Sequence, residues 1–173
     1  VKMDYFLEGT DANGCVNFDT VNIFVRSLPT IDAGDDVEIC VGTNTQLNAS
    51  GGDSYLWTPT TGLTNPTSAD PIADPSDTTS YVVQGTDIHG CVNTDTVIVI
   101  VNSLPNADAG FNANICENTS TQLNATGGDT YLWSPSAFLD DDTLADPIAS
   151  PDTSMLFTVV ITDSNNCVAT DSV

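Results

Sequence analysis

The chain has 173 residues, with 24 Asp or Glu against 2 Lys or Arg and 1 His, giving a formal net charge of -22. A surface this acidic repels phosphate backbones and anionic lipid heads, which argues against nucleic-acid binding and electrostatic membrane docking. Apolar residues make up 40% of the chain, too many for disorder, and Thr, Val, Asn and Asp stand where helix formers would be needed, so β-structure is predicted.

In chain order, Tyr5, Leu7 and Gly9 alternate along a first strand, and Val21, Ile23 and Val25 along a second. Leu28-Pro29 then marks a joint. In TQLNA, Thr45, Leu47 and Ala49 share one face of a half-buried strand. The GGD turn at Gly51 to Asp53 leads into YLW, where Tyr55 and Trp57 face one side and Pro59 ends the strand. A loop-rich stretch with Pro66, Pro71 and Pro75 follows. Tyr81, Val83 and Gly85 alternate in the next strand, a turn is expected at Asp87 to Gly90, and Val97, Val99 and Val101 line a long final strand that completes a hairpin. No apolar run reaches the roughly 18 residues that span a bilayer, and Val1 opens without a charged leader. No membrane insertion is expected, and the chain reads as a segment of something longer.

Laid against itself, the chain repeats. Cys15, Cys91 and Cys167 are spaced by 76, as are Cys40 and Cys116, and TQLNASGGDSYLW returns as TQLNATGGDTYLW without a gap. Residues 28–103 are expected to form one complete module and 104–173 a second, slightly truncated at its C-terminus. Residues 1–27 supply the C-terminal strands of a preceding one. Short strands with close-spaced turns and no helical period predict an all-β fold, a tandem of immunoglobulin-like antiparallel β-sandwich modules. The joints Leu28-Pro29 and Leu104-Pro105 carry no flexible spacer, so a semi-rigid rod is expected.

Intervals of 25 and 51 residues alternate between the cysteines, with no CxxC and no companion histidines, which favours disulfides over zinc. Two pairings respect the repeat. Cys40 with Cys91 and Cys116 with Cys167 would make each module self-contained and leave Cys15 for an upstream module; Cys15 with Cys40 and Cys91 with Cys116 would clip neighbours together. A small core's need for an internal staple favours the first.

His89 has Asn13 and Asn165 as its counterparts, so it reads as a turn residue. Without a second histidine no nucleophile–base arrangement can be assembled, and no enzyme is expected. Trp57 and Trp133, with Tyr55 and Tyr131, could line a sugar-binding face, but their place in a middle strand favours the core. Most acids read as solvated surface and turn formers. Asp32, Asp87, Asp108 and Asp163 recur near module ends and are the candidates for Ca²⁺, without EF-hand spacing to support it. No cofactor is required.

The motifs ADAG at 107–110, IC followed by TQLNATGG, YLWSP, ADPIASP, Thr10 to Cys15 and Thr94 to Val97 together resemble the PKD-like and Ig-like repeats of large bacterial surface adhesins, the SprB type of gliding bacteria, exported by the type IX secretion system. The resemblance implies a β-sandwich repeat in a long extracellular cell-surface filament serving adhesion, and in that family gliding motility. The partners implied are neighbouring modules of the same chain, with other filament subunits or surface polysaccharide beyond it. It also implies O-glycosylation where Asp precedes Ser or Thr and then an apolar residue or Thr, a pattern met at Thr20, Thr78, Thr96, Thr143 and Ser172. The other reading is a non-catalytic spacer or carbohydrate-binding accessory of a secreted hydrolase.

Overall fold

A computed structural model describes all of residues 1–173, and it is β throughout apart from one 3-10 turn at Ser136–Phe138. Strands β1 (Lys2–Thr10) and β2 (Val16–Phe24) pair as an antiparallel hairpin. Next come β3 (Val37–Cys40), β4 (Thr45–Gln46), β5 (Ser54–Thr58), β6 (Ile72–Ala73), β7 (Thr79–Thr86) and β8 (Val92–Asn102). They form a four-stranded sheet in the order β3-β8-β7-β5 and a two-stranded sheet β4-β6. The second set, β9 (Thr121–Gln122), β10 (Thr130–Ser134), β11 (Ile148–Ala149), β12 (Thr158–Thr162) and β13 (Val168–Ser172), repeats this as β10-β12-β13 over β11-β9.

Each set closes on its own core. In the first, Leu47 and Ala73 of the small sheet's side meet Trp57, Tyr81, Val83, Val97 and Val99 of the large one. In the second, Leu123 and Ala149 meet Trp133, Phe157, Val159 and Ile161. The indole, the largest side chain available, fills the centre, and its N–H is not left orphaned. Trp57 Nε1 donates to Ser68 O, and Trp133 Nε1 to Leu144 O, both at 3.0 Å. The alternation read in TQLNA holds, with Leu47 buried and Ala49 half-buried. The regular ladder there covers only Thr45–Gln46, because Leu47 N donates to Pro71 O at 2.9 Å and proline has no N–H to return.

One pairing departs from an all-antiparallel sandwich. β3 lies parallel to the end of β8, Val37 opposite Val99 and Cys40 opposite Asn102. Asp36 starts this pair by accepting from Ile98 N at 2.8 Å, and Glu38 holds its end by accepting from Asn102 Nδ2 at 3.1 Å. A four-residue strand of this kind shows no alternation in sequence long enough to read.

The two cores are packed by different means. In the first, Ile31 lies over Gly85, where a Cβ would come within 2.3 Å of Ile31 Cδ1. In the second, Ala107 and Ile161 stand at the matching positions, so bulk has moved from one partner to the other. Such volume-conserving exchange is the kind a close-packed core tolerates.

Candidate functional site

The structure directs attention to the ends of the sandwiches and the joint between them. At the leading end of the first sandwich, Asn93 Nδ2 donates to Pro29 O at 2.9 Å and Ala33 N to Asp95 Oδ2 at 2.8 Å. The incoming segment therefore lies along the start of β8, beside the β7–β8 turn. Cys40, opposite Asn102, stands at the trailing end.

This polarity decides the cysteine pairing. Cys91 precedes the first residue of β8 and Cys40 faces its last. At about 3.3 Å per residue the two are on the order of 35 Å apart, whereas a disulfide requires Cα atoms within about 7 Å. Cys40 is joined instead to Cys167, with a Cα–Cα distance of 5.5 Å and a sequence separation of 127. Cys167, in the turn before β13, belongs to the next sandwich. The bond thus crosses the joint, and neither expected pairing of the four cysteines forms: Cys15, Cys91 and Cys116 are free. The reason is that both cysteine-bearing ends of a sandwich point outward along the chain's direction of travel, one backward and one forward.

The recurrent acids form the local framework of these ends. Asp87 Oδ1 accepts from His89 N and Cys91 N, both at 2.8 Å. Asp163 does the same for Asn165 and Cys167 at 2.9 and 2.8 Å, and Asp11 for Asn13 and Cys15 at 2.8 and 2.9 Å. The hydrogen bond from Cys91 N, the largest influence, holds the Asp87 carboxyl below the usual carboxylate range. Asp32 and Asp108 close shorter turns, accepting from Gly34 N at 2.9 Å and Gly110 N at 2.8 Å. The four calcium candidates are thus turn locks in separate loops. No three Asp, Glu, His or Cys side chains converge into a coordinating set, and hard cations of this class take six or more oxygens.

Asp95 and Asp171 have a role that the repeat signalled but could not specify. Each carboxylate reaches out of the last strand to the incoming segment, Asp95 to Ala33 N and Asp171 to Ala109 N, both at 2.8 Å. These bonds, first among the causes, lower both carboxyl pKa values. They tie the start of each sandwich to its final strand, next to the joint.

Of the other expected sites, Trp57 and Trp133 are 0% and 1% exposed and present no aromatic platform. Tyr55 and Tyr131 are half-buried, their hydroxyls donating to Gly52 O at 2.8 Å and Gly128 O at 2.9 Å. His89 is an exposed turn residue. Thr20, Thr78, Thr96, Thr143 and Ser172 all lie on the surface. Two of these hydroxyls are engaged, Thr78 Oγ1 accepting from Val101 N at 3.0 Å and Thr143 Oγ1 donating to Asp141 Oδ1 at 2.6 Å. A groove of about 490 Å³ lies between Ile115, Cys116, Leu123, Phe157 and Val173. Its place matches the ground that the end of β8 fills beside β3 in the first sandwich, and the counterparts of β3, Ala113 to Cys116, line it here. Accordingly Ile39 is 8% exposed and its counterpart Ile115 is 36%. The groove carries no convergent set of catalytic groups. No helix is long and apolar enough to cross a membrane.

No protein-family profile matches the chain, and no curated protein matches it. Among solved structures, the N-terminal eight Ig domains of Down Syndrome Cell Adhesion Molecule superpose with a TM-score of 0.54 at 14% identity, over 98% of this chain and 34% of that one. Sidekick-1 immunoglobulin domains 1-4 give 0.43 at 14% identity, over 98% of this chain and 56% of that one. A C-terminal fragment of intimin gives 0.47 at 15%, over 85% and 62%. The chain spans about a third of the length of the first of these, and that likeness is one of fold: the sandwiches are immunoglobulin-like.

Proposed function

We propose that this chain is a stretch of a tandem-module extracellular filament, structural and adhesive in role and without catalysis of its own. Its division into residues 1–27, 28–103 and 104–173 belongs to the same reading. The observation that carries it is the Cys40–Cys167 bond. A covalent tie between successive sandwiches serves a part that transmits force along its length, and such bonds form in oxidising, extracellular surroundings. The net charge of -22 favours an extended, self-repelling rod. The resemblance to SprB-type adhesins extends the proposal to a cell-surface fibre, a type IX secretion route, gliding motility and O-glycans on Thr20, Thr78, Thr96, Thr143 or Ser172.

The carbohydrate-binding alternative loses the aromatic face it would have used, since Trp57 and Trp133 are in the cores. Antibodies raised against residues 1–173 provide the test on the cells that make the protein. Immunogold label along surface fibres, removed by external protease, is expected. Label confined to the cell interior, or to a secreted enzyme, overturns the proposal.

A further inference from the structure

The bond between Cys40 and Cys167 leaves three free cysteines, and each of the three is held as one member of the bonded pair is held. Cys116 O accepts from Thr119 N at 3.1 Å and Thr119 Oγ1 at 2.7 Å; Cys40 O accepts from Thr43 N at 3.0 Å and Thr43 Oγ1 at 2.7 Å. Cys15 and Cys91 donate their N–H groups to Asp11 and Asp87, just as Cys167 does to Asp163. Cys116 is therefore a second trailing-end cysteine, and Cys15 and Cys91 are two further leading-end ones. The observed bond joins a trailing-end cysteine to the leading-end cysteine of the next sandwich.

We propose that Cys40–Cys167 is one rung of a disulfide ladder running along a longer array of these repeats. Cys116 pairs with the hairpin-turn cysteine of the repeat that follows, Cys91 with the trailing-end cysteine of the repeat before, and Cys15 with one a further repeat back. The rule accounts for an odd number of cysteines and for three free thiols with one translation. Each rung closes 127 residues, more than the repeat of 76, so neighbouring rungs overlap from Cys116 to Cys167 and no repeat lies outside a closed loop. The inference concerns covalent architecture and holds whatever the array adheres to. Forming a rung removes two protons and two electrons from a pair of thiols, and a disulfide oxidant accepts them, itself becoming two thiols.

The experiment lengthens the chain by its own repeat. Residues 1–173 are followed directly by a second copy of residues 98–173 carrying Cys116→Ser and Asn165→His, so that its peptides differ in mass from the originals. The copy continues the register because Val173 is the counterpart of Val97, and His89 already stands at the turn position of Asn165. After oxidation with glutathione disulfide, non-reducing peptide mapping is expected to recover Cys40 with Cys167 and Cys116 with the copy's hairpin cysteine. Cys15 and Cys91 should take N-ethylmaleimide. Cys116 left free, or joined to Cys91, overturns the ladder. The 173-residue chain gives an independent reading that does not depend on folding of the added repeat. Native alkylation at dilution is expected to label Cys15, Cys91 and Cys116 and spare the other two, whereas a bond between any two of those three within one chain refutes the rule.

Discussion

The hairpins β1–β2 and β7–β8 share one register, Tyr5 opposite Val21 and Tyr81 opposite Val97, and nearly opposite environments. Tyr81, Val83, Val97 and Val99 are at most 1% exposed, while their counterparts Tyr5, Leu7, Val21 and Ile23 are 47% to 69% exposed. The pairing of two strands is thus a local matter, encoded by alternation and by the Asp lock at the turn. Burial requires the second sheet, which residues 31–73 supply to β7–β8 and nothing in residues 1–27 supplies to β1–β2. A lone two-stranded hairpin is marginal in water, so most of the stability should sit on one side of this comparison.

The largest contrast is expected at the turns. Cys167→Ser opens a loop of 127 residues, which the chain-entropy account values at about 4–5 kcal/mol; Cys15→Ser opens nothing. Denaturant unfolding of both variants under non-reducing conditions should show a large loss for the first alone. Equal stabilities would mean that the joint bond constrains neither the folded nor the unfolded chain.

Next in size are the matched tyrosines. Tyr81→Ala empties the core beside Trp57 and also removes the hydroxyl that donates to Thr61 O at 2.9 Å. A cost of about 3–5 kcal/mol follows from comparable aromatic truncations, against less than about 0.5 kcal/mol for Tyr5→Ala at the surface. A similar cost at both positions, read from urea midpoints, would show that β1–β2 is covered in solution.

Smaller effects should come from the paired glycines. Gly85→Ile drives a side chain into Ile31 and should cost about 1–3 kcal/mol by overpacking. Adding Ile31→Ala reproduces the Ala107/Ile161 solution of the second sandwich and should recover most of the loss. Gly9 has open space around its Cβ position, so Gly9→Ile should be near neutral. Failure of the double variant to recover in thermal melts would show that the two cores are not interchangeable at this point.

The smallest contrast concerns acid. The Asp95 carboxyl is held below its usual range, chiefly by Ala33 N and then by Thr96 N. A depressed folded-state pKa contributes stability that is present above the unfolded pKa of about 3.9 and is lost as pH falls through the folded value. Asp95→Asn should therefore lower stability at neutral pH by under about 1 kcal/mol, because the group is solvent-screened, with the difference from the parent chain shrinking toward pH 2. Asp19, whose carboxylate reaches only Thr20 N of its own strand, is the control. A pH-independent deficit for Asp95→Asn would assign the effect to packing instead.

Much of the fold was legible in the residues themselves. Alternation placed Tyr81, Val83, Val97 and Val99 on one inward face, the spacing of TQLNA and YLW set Leu47 and Trp57 toward the same core, and the Asp87 to Gly90 turn lay where the structure has it. These are nearest-neighbour properties, readable because a pleated strand has a period of two. The bulk exchange between Ile31 with Gly85 and Ala107 with Ile161 was written in the repeat too, but only contact in space shows that the two positions form a pair.

The spacing of the cysteines alone favoured a disulfide over a metal site and showed that they recur in two classes, each once per repeat. Which sulfur meets which was decided only by tertiary structure. The parallel β3–β8 pair carries Cys40 to the far end of the strand from Cys91, and the joint brings the next hairpin turn to it. The recurrence of Asp95 and Asp171 was likewise visible in the chain, whereas their tie to Ala33 and Ala109 was not. Each of these is a contact between residues more than 60 positions apart. Local propensity is silent on such contacts, because they depend on the direction in which each sandwich enters and leaves its neighbour.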